Sequence, residues 1–414
     1  MDHSARPSDR PLDLVLLGAT GCVGRQCAAH LARHAPPGMR WAVAGRDRAR
    51  LEAARAAAGA TSAELRVVDT ADAAAVEALV AEARVVLTTV GPYAKYGDAV
   101  LGACARLGTD YVDITGETPW VRRMIDQHHE AAVASGARIV PFCGFDSVPS
   151  DLGVWMLVEW IRATWGEPVR EVRAAFSAKG GFNGGTLDSA LTLRERGDLR
   201  MLADPFLLNP ADRRPGPAPA RSKDPRGTVS DPALGTLAPF FMAPVNTRVV
   251  RRSHAIFASR GQDYGPDFVY QEYMRPPGGA VGAWVMMAGM GAFFALSGKP
   301  WGRDLLRRFA PKPGEGPSEA QMDAGGFKVE LVAEAQGGRT VRGKVASAGD
   351  PGNRVTTKIV CEAALCLLYD RAALPQGAGI LTPATAFAAP LRARLEAQGF
   401  TFVVKGADGG AAPA

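Results

Sequence analysis

The chain has 414 residues, of which 47% are hydrophobic and 22% charged, so it can bury the cores of two or three domains. Its formal net charge of +6 comes from Lys and Arg residues scattered along the chain, which argues against a nucleic-acid partner but suits an anionic ligand. The six cysteines form no Cys-x-x-Cys pair, which argues against a metal site or a disulfide framework and favours a reducing cytoplasm.

Residues 12–34 predict a buried strand followed by a helix, because a continuous apolar run gives way to a helical pattern after Gly24. The same alternation continues through strand 39–46, helix 49–59, strand 65–69, helix 73–83, strand 84–93, helix 98–108, strand 110–117, helix 119–135 and strand 137–147. Strict alternation with short connections predicts an α/β fold with a Rossmann-type, doubly wound parallel sheet.

The pattern changes after Pro149. Apolar and polar side chains then alternate with period two in residues 169–178, 268–274 and 327–347. We therefore expect a second domain of the α+β class that contains antiparallel strands. Within it, the stretch 209–235 is rich in proline and basic residues and is expected to be a mobile or disordered loop.

One segment, residues 278–298, has no charged residue and approaches the length of a membrane span. It is rich in Gly and Ala, and the sequence has no other segment of this kind, which favours a buried or lipid-facing helix over a true span. Peripheral membrane contact through this segment is left open. The first 13 residues contain no apolar core of a signal peptide, in agreement with a cytoplasmic protein.

The heptapeptide GATGCVG lies between the first predicted strand and the first predicted helix. In this position its glycines predict a dinucleotide-binding loop: Gly18 permits the tight turn, Gly21 the approach of a diphosphate, and Gly24 close packing of helix and sheet. The helix N-terminus then offers free N–H groups to the diphosphate. The predicted cofactor-binding residues of the loop are Gly18, Ala19, Thr20, Gly21, Cys22, Val23 and Gly24. A glycine-rich turn that binds nothing is the alternative.

The end of the second strand indicates which dinucleotide is bound. An NAD site usually has Asp or Glu here to bind the ribose 2′-hydroxyl, whereas this strand ends in Arg46. A guanidinium pairs well with a phosphate, so NADP(H) is favoured over NAD(H). The neighbouring Asp47 keeps NAD(H) open. Asp69, after the third strand, is predicted to border the adenine or, alternatively, to cap the next helix.

The fourth strand ends in the motif TTVGPY. Ligands in this fold lie at the carboxyl ends of the strands. We therefore predict that Val90, Gly91 and Pro92 run beside the nicotinamide ribose. An ordinary turn from strand to loop is the alternative.

Five motifs together resemble the saccharopine dehydrogenase-like oxidoreductases, and among them the bacterial trans-acting enoyl reductases: GATGCVG, AGR, TTVGPYAKYG, YVDITGE and PFCGFDSVPSDLG. The resemblance implies reduction of an enoyl double bond on a polyketide or lipid intermediate, beside a synthase that lacks its own reductase domain. It also implies an interrupted first domain, so residues 10–150 and 353–405 are assigned to the dinucleotide-binding domain and residues 151–352 to the substrate domain.

Two other functions stay open at this point. The same fold houses members that act on C–N bonds of amino acids, which gives an amino-acid oxidoreductase as the first alternative. A non-catalytic, lipid-associated protein that binds a dinucleotide is the second. The absence of an evident arginine-lined site for a dicarboxylic amino acid, together with the apolar segment 278–298, favours an acyl substrate.

Reduction of an enoyl thioester requires hydrogen-bond donors for the developing oxyanion and a proton for the α-carbon. Tyr93, Lys95 and Tyr96, in the motif YAKYG, are candidates for these roles. The structural alternative is that Lys95 is solvated and that both tyrosines pack under the loop.

Asp146 is the fourth catalytic candidate, because it lies at the end of a predicted strand and could orient a group or supply a proton. The structural alternative for this region is that Ser147 or Asp151 caps the helix that starts near Pro149.

The expected substrate is an acyl or polyketide chain presented by a carrier protein. The basic residues of the loop 209–235 could steer an acidic carrier or its phosphopantetheine arm, and a solvated linker is the alternative. A homodimer is also left open.

Overall fold

The structure is a computed structural model that describes residues 10–180, 184–214, 222–309 and 316–406. Part of the predicted basic loop 209–235 lies outside these ranges, as do most of the N-terminal segment examined for a signal peptide and the last eight residues. The described chain forms two seven-stranded sheets.

The first sheet is parallel throughout. Its strands are β1 (Leu12–Leu17), β2 (Trp41–Gly45), β3 (Glu64–Val67), β4 (Ala83–Thr88), β5 (Asp110–Asp113), β6 (Arg138–Val140) and β13 (Gly379–Ile380). Their spatial order is β3-β2-β1-β4-β5-β6-β13, so the chain reverses its winding direction between β1 and β4. The doubly wound sheet predicted from the alternation is confirmed, and all six residues of β1 are buried. Five of them are apolar, as a strand covered on both faces requires, and the sixth, Asp13, pairs with Arg40 and Arg84.

In the described ranges, eight helices are associated with this sheet: α1 (Cys22–His34), α2 (Arg48–Ala57), α3 (Ala73–Glu82), α4 (Tyr93–Tyr96), α5 (Asp98–Leu107), α6 (Thr118–Ser135), α13 (Thr356–Tyr369) and α14 (Pro383–Ala397). A further helix, α7 (Val148–Trp165), follows β6 and packs on strands of the second sheet. The prediction that 84–93 is a strand ending in a loop is confirmed. Extended structure ends at Thr88, and the chain turns at Gly91 and Pro92 into the short helix α4, since proline cannot donate to a strand ladder.

The second sheet is mixed. Its strands are β7 (Val169–Lys179), β8 (Val229–Asp231), β9 (Gly235–Pro239), β10 (Val269–Met274), β11 (Gly326–Ala335), β12 (Thr340–Ala348) and β14 (Thr401–Gly406). Five helices accompany it: α8 (Gly184–Glu195), α9 (Ala243–Ser259), α10 (Gly279–Ser297), α11 (Pro300–Phe309) and α12 (Glu319–Asp323).

The predicted hairpin 327–347 is confirmed, since β11 pairs antiparallel with β12 and also with β7. Residues 268–274, which include β10, are expected from the sequence to pair antiparallel with their neighbours. β10 does pair antiparallel with β9, but it lies parallel to β7. The chain between β7 and β10 crosses through α8, β8, β9 and α9, and so long a connection permits parallel pairing.

The C-terminal segment is divided between the two sheets. β13 adds to the edge of the first sheet beside β6, whereas β14 pairs with β12 in the second sheet. The segment 353–405, assigned to the first domain from the resemblance, therefore also supplies a strand to the other sheet. α7 joins the two sheets: Gly153 and Leu157 pack against β11 and β12, and one buried apolar core extends from β1 to β11.

Candidate functional site

The glycine loop adopts a conformation that side chains would disrupt. Gly18 has φ of +93°, in the left-handed region, and a Cβ on it would lie 2.8 Å from the side chains of both Thr89 and Val90. A Cβ on Gly24 would lie 2.0 Å from the carbonyl oxygen of Gly18. The loop therefore holds the start of α1 directly against the end of β1, which is the reason predicted for Gly24.

The N-terminus of α1 is open to an anion. Gly21 occupies the capping position without a side-chain hydrogen bond, and the first turn contains no acidic residue. Free amide groups and the helix dipole both favour negative charge at such an end. This end lies at the β1–β4 switch point of the sheet, where dinucleotides bind in this fold, so the loop fits a diphosphate.

A C-terminal segment that the sequence did not place at the site borders this loop. The Sγ of Cys22 lies 3.6 Å from Oδ1 of Asn353, whose Nδ2 donates to Oδ1 of buried Asp350 at 2.6 Å. These contacts depend on residues more than 300 positions apart in the chain. No local pattern could have revealed them.

The end of β2 presents one exposed cation to solvent. Arg46 is exposed directly after Gly45, whereas the Asp47 side chain accepts a hydrogen bond from the N–H of Arg50 at 3.0 Å and caps α2. Arg48 pairs with Glu52 on the same helix at 3.7 Å. The Asp47 carboxylate therefore has a structural role as a helix cap, and the pairing of Arg46 with a 2′-phosphate stays a prediction.

Asp69 is exposed at the end of β3 and accepts a hydrogen bond from the N–H of Ala71 at 3.0 Å. The alternative that it caps the following helix is wrong, because Asp72 caps α3 by accepting from Ala74 and Ala75. The proposal that Asp69 borders the adenine stays a prediction.

The loop after β4 lies against the glycine loop. The Thr89 hydroxyl donates to the carbonyl of Gly18 at 3.3 Å, and Val90 flanks the same glycine. Gly91 is exposed, and Pro92 is buried beneath it. The structure thus brings the predicted residues Gly18, Val90, Gly91 and Pro92 to one edge of the sheet.

Glu117 fixes the geometry of the loop after β4, and the sequence prediction missed it. Its buried carboxylate accepts from the backbone N–H groups of Tyr93 and Ala94 at 2.8 and 2.9 Å and from the hydroxyl of Ser189 at 2.9 Å. Burial raises the pKa of Glu117 above its ordinary value. Glu117 thereby joins α4 to α8, which brings Ser189 close to Gly91. Glu117 is the last residue of the motif YVDITGE, but the motif does not indicate which groups donate hydrogen bonds to it.

The three candidates on α4 occupy different environments. Tyr93 is buried, its hydroxyl donates to the carbonyl of Thr88 at 3.1 Å, and it accepts from the N–H of Ile114 at 3.3 Å. Burial raises the pKa of Tyr93 well above its usual range. Lys95 and Tyr96 are exposed. The environment of Tyr93 therefore matches the packing alternative, while Lys95 and Tyr96 face solvent at the rim.

Asp146 lies in the loop after β6, half-buried, with its carboxylate beside Gly116 of the neighbouring loop. Burial raises the pKa of Asp146 to about 6. The C-terminal segment stabilises this loop, because the hydroxyl of Thr356, at the start of α13, accepts a hydrogen bond from the N–H of Phe145 at 3.1 Å. A carboxyl group with this pKa is well placed to exchange a proton near neutral pH.

The capping alternatives for this region are wrong for α7. Ser147 makes no side-chain cap and donates instead to Oδ1 of Asn246 at 3.2 Å. Asp151 accepts from Ser253 and from the N–H of Ala384, so it caps α14 rather than its own helix.

A buried polar cluster lies next to this loop. Oε1 of Glu272 accepts from Ser150 at 2.8 Å and from Nδ2 of Asn246 at 3.0 Å, and Asn246 also receives the hydroxyl of Ser147. Within the described chain, Oε2 of Glu272 has no hydrogen-bond partner. Burial raises the pKa of Glu272 to about 8, and the nearby charge of Asp146 contributes. Burial in this cluster therefore favours the neutral form of the Glu272 carboxyl group.

The chain is similar to known proteins along most of its length. Residues 14–140 match the family model of the saccharopine dehydrogenase NADP binding domain. A Mycobacterium tuberculosis protein provisionally named a trans-acting enoyl reductase is 40% identical over 412 residues, which is 94% of this chain and 96% of that protein. A trans-acting enoyl reductase of Mycobacterium leprae is 36% identical, with coverage of 95% and 97%.

Solved structures share the fold at much lower identity. The apo saccharopine dehydrogenase (L-Glu forming) of Saccharomyces cerevisiae is 15% identical with a TM-score of 0.51, over 95% of this chain and 99% of that one. The homospermidine synthase of Legionella pneumophila, in complex with NAD, is 10% identical with a TM-score of 0.52, over 96% and 92%. At these identities the likeness shows the fold alone.

Proposed function

The chain belongs to the saccharopine dehydrogenase-like oxidoreductases, among relatives named trans-acting enoyl reductases, and from this premise we propose that it reduces an enoyl double bond with NADPH. The substrate class is an acyl or polyketide intermediate carried as a thioester. The observation that carries the proposal is the glycine loop, which opens onto the bare N-terminus of α1 with Arg46 at the end of the adjacent strand.

The chain's own residues fit the cofactor. The backbone of Gly18–Gly24 and the first turn of α1 would hold the diphosphate, and Arg46 would pair with the 2′-phosphate. Val90 and Gly91 would border the nicotinamide ribose. NADPH supplies a hydride when it is bound.

Asp146 has the properties of a proton donor for the α-carbon. It lies at the carboxyl edge of the sheet, and its raised pKa, about 6, leaves a usable protonated fraction near neutral pH. The buried cluster of Ser147, Asn246 and Glu272 would hold the surrounding backbone and keep water out.

The candidates on α4 divide into two roles. Tyr93 positions the loop from within, because both hydrogen bonds of its hydroxyl go to the backbone. Lys95 and Tyr96, exposed at the rim, would contact the thioester arm of the substrate, where Lys95 can pair with a phosphate.

A carrier protein would approach from the basic loop 209–235. Lys223 and Arg226 are exposed in its described part, whereas Arg214 pairs with Asp204 at 3.2 Å. Cations on a rim raise the association rate of an acidic partner more than its affinity.

The proposed location of this reaction is the cytoplasm, in keeping with six cysteines that form no disulfide.

The test is NADPH oxidation with an α,β-unsaturated acyl thioester, offered both on a carrier protein and on free pantetheine. We expect turnover that declines as pH rises through about 6, because Asp146 then loses its proton. Asp146→Asn should lower kcat by about 100-fold or more with unchanged NADPH affinity, whereas Asp126→Asn, an exposed carboxylate on α6, should leave both unchanged.

Two results would contradict the proposal. Oxidation of NADPH only when an amine and a keto acid are both present would indicate the amino-acid reaction. NADPH binding without hydride transfer to any thioester would indicate a non-catalytic dinucleotide-binding protein.

A further inference from the structure

Helix α10 exposes an apolar surface that a protein in water does not normally leave uncovered. Its 19 residues include no charge, and only Ala283 and Ser297 are buried. The most exposed large side chains are Val281 at 74%, Trp284 at 76% and Val285 at 69%, which share one face at helical spacing. The helix is long and apolar enough to cross a membrane by length and composition. The interpretation of 278–298 as a core helix is therefore wrong.

The helix that follows combines apolar and cationic side chains. Trp301 and Leu305, one turn apart on α11, are both exposed. The stretch 299–308 contains four cations and one carboxylate: Lys299, Arg303, Arg307 and Arg308, with Asp304. Tryptophan beside Lys and Arg is typical of a helix that lies in the headgroup layer of a bilayer.

The two helices are held together as one unit. A Cβ on Gly302 of α11 would lie 2.1 Å from the carbonyl oxygen of Leu296 of α10, so the start of α11 packs directly on the last turn of α10. α10 also packs along β9 of the second sheet. The apolar face and the cationic helix therefore form one surface that is attached to the second sheet through α10.

We propose that α10 and α11 form a peripheral membrane-binding surface for a bilayer with anionic lipids. The uncharged face of α10 would enter the acyl region beneath the headgroups, while the cations of α11 pair with lipid phosphates. Glu195 already pairs with Arg303 and Arg307, which leaves Lys299 and Arg308 as the main contacts to lipid.

Charge complementarity favours a lipid surface over a second copy of the chain. A second copy of the chain would bring its own α11, whose stretch 299–308 has four cations and one carboxylate, so two such surfaces offer each other no charge complementarity. Anionic headgroups instead neutralise these cations. A bilayer also covers the whole exposed arc of α10, whereas the contact with one partner helix would cover a narrower stripe.

The test is sedimentation of the full-length protein with vesicles of phosphatidylcholine, alone or mixed with phosphatidylglycerol. We expect binding to the mixed vesicles that weakens with salt. The triple variant Val281→Ser, Trp284→Ser, Val285→Ser should lose binding by about tenfold or more. Val133→Ser, an exposed apolar residue on α6, is the matched control and should bind as the parent does.

A charge variant separates the role of α11. Lys299→Glu with Arg308→Glu should remove the preference for phosphatidylglycerol, whereas Lys344→Glu, an exposed lysine on β12, should keep it. Equal sedimentation of the parent and the triple variant would overturn the proposal. So would a dimer in light scattering that the triple variant dissociates in the absence of lipid. NADPH binding is measured on the same variants, so failure here is distinguishable from failure of the proposed reaction.

Discussion

At the scale of single residues, the glycine loop can form only if some of its positions have no Cβ atom. Gly24 has no room for a Cβ, because the carbonyl oxygen of Gly18 lies in its place. Gly21 differs: a Cβ there would lie 3.4 Å from that oxygen, which is ordinary contact. Gly24 therefore supports the fold, whereas the lack of a side chain at Gly21 serves the approach of a ligand.

Gly24→Ala should destabilise the protein by about 1–3 kcal/mol, because the start of α1 must shift away from β1. The shift should also abolish NADPH binding. Urea unfolding and fluorescence titration measure the two effects. Gly227→Ala is the matched control, since that glycine has open space around it and no left-handed backbone, and it should change neither quantity. Unchanged unfolding of Gly24→Ala would contradict the close packing described above.

Arg46→Ala should weaken NADPH binding by about 1–3 kcal/mol and leave NADH binding nearly unchanged, because only NADPH offers a phosphate to the guanidinium. Calorimetric titration of both coenzymes measures the difference. Arg48→Ala removes a nearby arginine that pairs with Glu52, so it should affect both coenzymes little. An equal loss for the two coenzymes in Arg46→Ala would remove the assigned role.

At the scale of elements, two segments far apart in the chain form one structural junction. Asp151, in the motif PFCGFDSVPSDLG, accepts from the N–H of Ala384 at the first turn of α14. It also accepts from Ser253 of α9, whose hydroxyl meets that of Thr382. Three helices therefore depend on one buried carboxyl group.

Asp151→Ala should lower the free energy of unfolding by about 2–3 kcal/mol, because it leaves the buried N–H of Ala384 without its acceptor and removes one of the acceptors of the Ser253 hydroxyl. Asp72→Ala removes an exposed helix cap on α3 and should cost only about 1 kcal/mol. Chemical denaturation of both variants makes the comparison. Equal losses would mean that Asp151 acts only as an ordinary cap.

At the scale of the whole molecule, buried carboxyl groups make stability depend on pH. Burial raises the pKa of Asp113 and Asp151 to about 7 and that of Glu272 to about 8. The folded chain therefore holds protons that the unfolded chain has released above about pH 5. The free energy of unfolding is greatest below the unfolded pKa values and is lost as pH rises through the folded ones.

We expect the free energy of unfolding, measured with urea, to fall from about pH 5 and to level off above about pH 8, once the folded chain has also released these protons. Glu272→Gln should flatten this decline, since the amide has no proton to lose. Glu396→Gln, a surface residue paired with Arg392, is the control and should retain the slope of the parent. A slope that Glu272→Gln leaves unaltered would show that this carboxyl group is already ionised in the folded protein.

Local patterns sufficed for the elements of the first domain and for its cofactor loop. In the run LDLVLL every residue except Asp13 is apolar, and consecutive apolar residues are typical of a strand that is covered on both faces. GATGCVG follows it directly. Local patterns failed at Ser147, which was expected to cap α7 but donates to Asn246. A serine hydroxyl can cap a helix or form a hydrogen bond with a distant side chain. The sequence shows a serine in both cases and does not distinguish between them.

The sequence by itself determined the alternating parallel sheet, the glycine loop and the arginine at the second strand, because each depends on residues within one turn or one strand of each other. Only the tertiary structure decided that β10 lies parallel to β7, that Glu117 clamps the loop after β4, and that α10 is exposed. Pairing, clamping and exposure are properties of contacts between distant segments. Hydrophobic periodicity records which side of an element is apolar, and it does not record what covers that side.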